Sequence, residues 1–96
     1  MNSIRVEATG KISDDVKTFP TSTGSSFSYT SLEIELKTQK SSGRCWMKLA
    51  ALGSVAARLR EIPKGTEVAV SGHCELEKWK DKVDGKWRQR MRIVAD

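Results

Sequence analysis

An all-β barrel with one short helix is the fold class this sequence predicts, and three observations predict it. Five stretches alternate apolar and polar residues with period two, the signature of strands with one buried face. One stretch, between the third and fourth of these, carries apolar residues at helical spacing instead. The chain has 96 residues, the size of one domain with a single core, so residues 1–96 form one domain in which a sheet this small must curl to bury its face.

The elements follow in order. In "IRVEATGKI" (residues 4–12), Ile4, Val6, Ala8, Gly10 and Ile12 fall on one side and Arg5, Glu7, Thr9 and Lys11 on the other. "SDDVKTFPTSTGSSFS" is rich in Ser, Thr, Gly and Asp and reads as a long exposed loop. "YTSLEIELKT" is a second strand that should bury Leu32, Ile34 and Leu36, and "TQKSSGR" turns into a third, "CWMKLAAL". There Cys45, Met47, Leu49 and Ala51 make a core face, while Trp46 and Lys48 share the other, with Leu52 at the far end. "GSVAARLREIPKG" reads as the helix: Ser54 as N-cap, Val55, Leu59 and Ile62 as its apolar stripe, Pro63 and Gly65 as its stop. "TEVAVSGHCELEKWK" buries Val68, Val70, Cys74 and Leu76, "DKVDG" is a turn, and "WRQRMRIVA" is the last strand. Five strands with a helix between strands 3 and 4 match the partly open Greek-key barrel known as the OB-fold. The nearest rival, an SH3-like barrel, usually lacks such a helix.

Charge narrows the function. Lys78, Lys80, Lys82, Lys86, Arg88, Arg90 and Arg92 face only Asp81 and Asp84 within residues 78–92, so this stretch alone carries the whole formal net charge of +5. A localised basic patch is the electrostatic footprint of a polyanionic partner. Trp79 and Trp87 lie inside that patch, although tryptophan usually seeks the core.

For Trp46, two roles fit: an aromatic laid over a loop or subunit contact, or a platform on which a nucleobase stacks beside Lys48. Trp79, among Lys78, Lys80 and Lys82 near a hairpin tip, invites the same base-stacking role. Trp87 shares parity with Met91 and Ile93, so closing the barrel end and touching a ligand are equally open to it. Arg88, Arg90 and Arg92 point to one side of a strand at intervals of about 6.7 Å. They form a phosphate track, cross-strand pairs with Glu75 and Glu77, or both in part, since not every arginine need be paired.

Other classes are disfavoured. No apolar run approaches the roughly 20 residues of a membrane span. The start "MNSIRVEATG" lacks the marks of a signal peptide, so a cytoplasmic protein is expected, with Cys45 and Cys74 as free, buried thiols. The single His73 has no nucleophile or base at a useful spacing, His73 and Cys74 point to opposite faces, and no Gly-rich phosphate loop is present. The expectation is a protein that is not an enzyme, holds no cofactor or metal and takes no small-molecule substrate.

Read as an ordered set, the chain resembles the bacterial and phage single-stranded DNA-binding proteins over residues 4–95. The resemblance rests on "GKISDDVK" and "TSTG", then "CWMKLAALGSVAARL", "PKGTEVAVSG", "KWKDKVDGKWR" and "RIVA". It implies an OB-fold that binds single-stranded DNA without sequence preference in replication, recombination or repair. It places Trp46 and Trp79 at the family's two stacking positions, with Lys48, Arg44, Lys78, Lys80, Lys82, Lys86, Trp87, Arg88, Arg90 and Arg92 as the remaining DNA-binding residues. Two departures stand out. Leu52 replaces the family's aromatic before the helix glycine, and the loop between the second and third strands is short, leaving Lys40 and Arg44 to reach phosphate. The family's flexible linker and acidic tip have no counterpart before Asp96, which leaves two expectations: a tail removed from a longer chain, or a tail-less relative, as the primosomal replication protein N is. The family also pairs strand edges into dimers or tetramers, so a homo-oligomer is expected. An RNA-binding OB domain and an OB-fold protein-interaction adaptor are the alternatives; the lysines around Trp79 disfavour the second, because interface cores are depleted in lysine.

Overall fold

The computed structural model describes residues 2–96, and its strands are β1 (Arg5–Ile12), β2 (Lys17–Pro20), β3 (Ser26–Lys37), β4 (Ser42–Leu52), β5 (Glu67–Lys80) and β6 (Trp87–Ala95). One helix, α1 (Gly53–Arg60), lies between β4 and β5. The strands hydrogen-bond in the order β1-β5-β6-β4-β3-β2, and Lys11 and Ile12 of β1 pair with Glu33 and Leu32 of β3 to close the ring. Only the β4–β6 pair is parallel. Five strands thus make the barrel and β2 is hung on the outside of β3, which is the expected OB-fold with one short strand added.

Alternation set the phase of each strand. Ile12, Leu32, Leu49, Ala51 and Ile93 point inward, are buried, and meet Ala56 and Leu59 of α1, which plugs one end of the barrel. Two buried hydroxyls on the inner face are satisfied: Ser28 Oγ donates to the Ala56 carbonyl at 3.0 Å and Thr30 Oγ1 to the Asp14 carbonyl at 2.8 Å. These bonds tie β3 to the helix and to the segment after β1.

Three expectations need correction. The stretch read as a long loop contains β2 and the start of β3. Lys17, Thr18, Phe19 and Pro20 pair with Tyr29, Ser28, Phe27 and Ser26, and the turn between them closes with the Thr21 amide donating to the Ser25 carbonyl. Leu36 and Leu76 have the core parity but are 57% and 54% exposed, because the β3–β4 and β5–β6 hairpins run past the end of the barrel and nothing lies beneath them there. Ser54 is not the N-cap. Strand β4 stays paired up to Leu52, opposite Phe27, and the helix starts at Gly53 with no side-chain cap. The positive φ of Gly53, 63°, turns the strand directly into the helix, a conformation glycine adopts without strain.

Cys45 and Cys74 are free and partly buried. On its other side β1 meets a strand only at Lys11 and Ile12, so residues 5–10 form an open edge within this chain.

Candidate nucleic-acid interface

In paired strands, directly opposite residues put their side chains on the same face, so the register shows what shares the barrel's outer surface. Trp46 lies opposite Glu33, Lys48 opposite Ser31 on β3 and Arg92 on β6, and Ala50 opposite Tyr29. Across β5 and β6, Glu75 lies opposite Arg92, Glu77 opposite Arg90 and Trp79 opposite Arg88. Arg44, Trp46, Lys48, Trp79, Arg88, Arg90 and Arg92 therefore occupy one continuous outer face. Trp46 is 61% and Trp79 38% exposed, as the parity of their strands predicts.

The remaining residues singled out in the sequence lie elsewhere. Lys78, Lys80 and Trp87 have the opposite parity, with Lys80 facing Trp87 and Lys78 facing Gln89. They form the underside of the overhanging β5–β6 hairpin. Trp87 is 73% exposed and does not close the barrel end, because its part of β6 extends beyond the core. Lys82 and Lys86 belong to the turn at the tip. That turn is held by the Asp81 and Asp84 carboxylates, which accept from the Val83 and Lys86 amides at 2.7 and 2.8 Å, and by Gly85 at φ 70°.

Of the two roles left open for the arginines, the ion pairs are present. Arg90 donates to Glu77 through Nε at 3.0 Å and Nη2 at 2.7 Å, and Arg92 Nη1 to the other Glu77 oxygen at 3.3 Å. Arg92 also lies 3.7 Å from Glu75, and Arg88 bonds Asp81 and Asp84 in the turn. Among the described residues the lysines are not ion-paired. The uncompensated positive charge of the face and hairpin is thus mostly lysine.

The acids respond to these partners. The His73 imidazole, 2.7 Å away, holds the Glu75 carboxyl below its ordinary value, and Arg92 adds to the effect. The Val83 amide does the same for Asp81, with Arg88 assisting.

Cations also lie over aromatic rings on this face. Arg90 is 5.0 Å from the centre of the Trp79 ring, Lys48 is 5.6 Å from that of Tyr29, and Arg92 is 5.8 Å from that of Phe27. Sequence reasoning missed Phe19, Phe27 and Tyr29. Phe19 and Phe27 lay in a stretch whose Ser, Thr and Gly content reads as loop, Tyr29 opened the second strand, and the face the three share depends on the β2–β3 register. Among the described residues no group of three His, Cys, Asp or Glu side chains is placed to hold a metal ion, and no helix is long and apolar enough to cross a membrane.

An OB barrel with exposed indoles and cations on its outer face defines a class of oligonucleotide-binding protein. Comparison with known proteins narrows it: the model of the single-strand binding protein family matches residues 1–96, and the chain belongs to that family. Its members are DNA-binding proteins without enzymatic activity, and this chain is not an enzyme. Among solved structures, the Plasmodium falciparum SSB in complex with single-stranded DNA superposes with a TM-score of 0.84 at 16% identity, over 99% of this chain and 88% of that one. The small single-stranded DNA-binding protein of Streptomyces coelicolor gives 0.78 at 19% identity, over 99% and 91%. No curated protein matches in sequence.

Proposed function

We propose that the protein binds single-stranded DNA without base specificity across this outer face. Bases stack on Trp46 and Trp79, and phosphates are taken by Arg44, Lys48 and the arginines of β6, with Lys78, Lys80, Lys82, Lys86 and Trp87 engaged where the strand passes the hairpin. The observation that carries this reading is the register itself. It joins two exposed indoles from different strands to one row of cations, and a single strand offers base faces and phosphates to both.

Titration with oligo-dT, followed by tryptophan fluorescence, tests it. The indoles should be quenched, and log K should fall linearly with log salt at about 0.7 per phosphate contact. Binding of duplex DNA as tight as that of oligo-dT would sink the stacking mechanism, and stronger competition by a matched RNA oligomer would shift the assignment to RNA.

The ion pairs add a second expectation. Glu77 occupies Arg90 and Arg92 in the free protein, so an incoming phosphate must compete with it. Glu77→Gln should tighten oligo-dT binding several-fold and steepen the salt dependence by about 0.7 for each arginine that turns to phosphate. Unchanged or weaker binding in the same titration would mean that the two arginines serve the hairpin and not the DNA.

A further inference from the structure

The outer face does not end at the tryptophans. Along β4, Tyr29 lies level with Ala50 and Phe27 level with Leu52, four and six residues past Trp46, or about 13 and 20 Å at the rise of a strand. Three rings gather there. Phe19 and Tyr29 are stacked with centroids 5.7 Å apart and planes at 14°, and Phe27 lies 6.0 Å from Tyr29. Beside them opens a cleft of about 330 Å³ lined by Phe27, Tyr29, Lys48, Glu77, Arg90 and Arg92.

Two features set this cluster apart from rings that merely hold a hairpin in place. The rings lie outside the barrel core, with Phe27 and Tyr29 half-buried and Phe19 48% exposed. The cations are also incompletely matched. Lys48 has no carboxylate partner among the described residues, whereas Arg92 pairs with Glu75 and Glu77 and would have to exchange one of them for a phosphate. Aromatic faces beside an unpaired lysine suit a ligand that is flat at one end and anionic at the other. A nucleotide has that form, and at the end of a DNA track it is the next residue of the same strand.

We infer that this cleft is a further nucleotide subsite, taking one base against Phe27 and Tyr29 and the adjoining phosphate between Lys48 and Arg92. The inference rests on the proposed binding of single-stranded DNA and extends its track from the indoles to the β2–β3 hairpin. A strand that occupies the whole face must then be longer than one that reaches only Trp46 and Trp79.

The test compares oligo-dT of about four and about twelve residues, lengths within the range one OB-fold accommodates, by quenching of the tryptophans. In the wild type the longer oligomer should bind more tightly. Tyr29→Leu, which keeps apolar bulk on β3, should lose about five- to one-hundred-fold of that gain, the equivalent of one stacked base. Wild-type protein irradiated with iodouracil-substituted oligo-dT should carry adducts on Tyr29 or Phe27, a readout that does not depend on how any variant folds. If Tyr29→Leu shows the wild-type length dependence, or adducts form only on Trp46, Trp79 and Trp87, the subsite is overturned while DNA binding stands. If oligo-dT of neither length quenches the wild-type protein, the reading of the whole face falls, and the subsite with it.

Discussion

Trp46→Ala should weaken oligo-dT binding by about 1–3 kcal/mol, the contribution of one stacked base, and leave both the salt slope and the melting temperature nearly unchanged. The physical reason is where the indole lies. It is 61% exposed on the outer face of β4, while its strand is anchored by the inward residues Met47, Leu49 and Ala51, so removing it opens no cavity. Stacking releases no counterions, so the number of phosphate contacts, and with it the slope, stays the same. Trp79→Ala should lose a similar amount of binding. It should also cost the β5–β6 hairpin about 0.5–1 kcal/mol, because Arg90 sits over that ring. Replacing Lys80 should do the opposite, lowering the slope by about 0.7 if the contact is to phosphate. Salt-dependent titration and thermal melting of each variant provide the comparison. Wild-type affinity in Trp46→Ala would remove the indole from the site, and an unfolded variant would mean that the indole supports the fold.

Gly72→Ala should lower stability by about 3 kcal/mol, the upper range for forcing atoms into a packed site. Gly72 sits in β5 where Val6 of β1 and Ala95 of β6 flank it. A Cβ added there would overlap the Val94 carbonyl oxygen and crowd the Ala95 Cα. These are backbone atoms of a paired strand and cannot swing aside as a side chain would. At about 4–8 °C per kcal/mol for a domain of this size, melting should fall by roughly 12–25 °C. Loss of only a few degrees in a calorimetric melt would show that β6 can shift, and that the approach of the two strands there is not needed to close the barrel.

Gly72 illustrates what could not be read in advance. In "VAVSGHC" it is an ordinary member of an alternating strand, and only the neighbouring strand makes its missing side chain necessary. Leu36 and Leu76 show the same limit from the other side. Their parity was right, but alternation says which way a side chain points and not whether anything covers it. Phe19 and Phe27 were obscured by the turn-forming residues around them, and β2 has only four residues over which to show a period. The pairing of Arg90 and Arg92 with Glu77 was legible as one of two possibilities. Seeing that the pairs form required the β5–β6 register, which the length and geometry of the turn at 81–86 settle.

The sequence by itself determined the order of the five barrel strands and the helix, the inward phase of those strands, the outward placement of Trp46 and Lys48, and the concentration of charge in residues 78–92. All of these are local properties, set by a two-residue period or by composition, and they need no knowledge of what lies nearby. The tertiary structure alone decided which outward residues become neighbours. It brought Trp46 from β4 and Trp79 from β5 to one surface, put Lys78 and Lys80 on the reverse of the hairpin from Trp79, and gathered Phe27, Tyr29, Lys48 and Arg92 around one cleft. Adjacency across a sheet depends on strand order and register. Those are fixed by the closing of the barrel over its core, a condition on the whole chain that no single stretch of it contains.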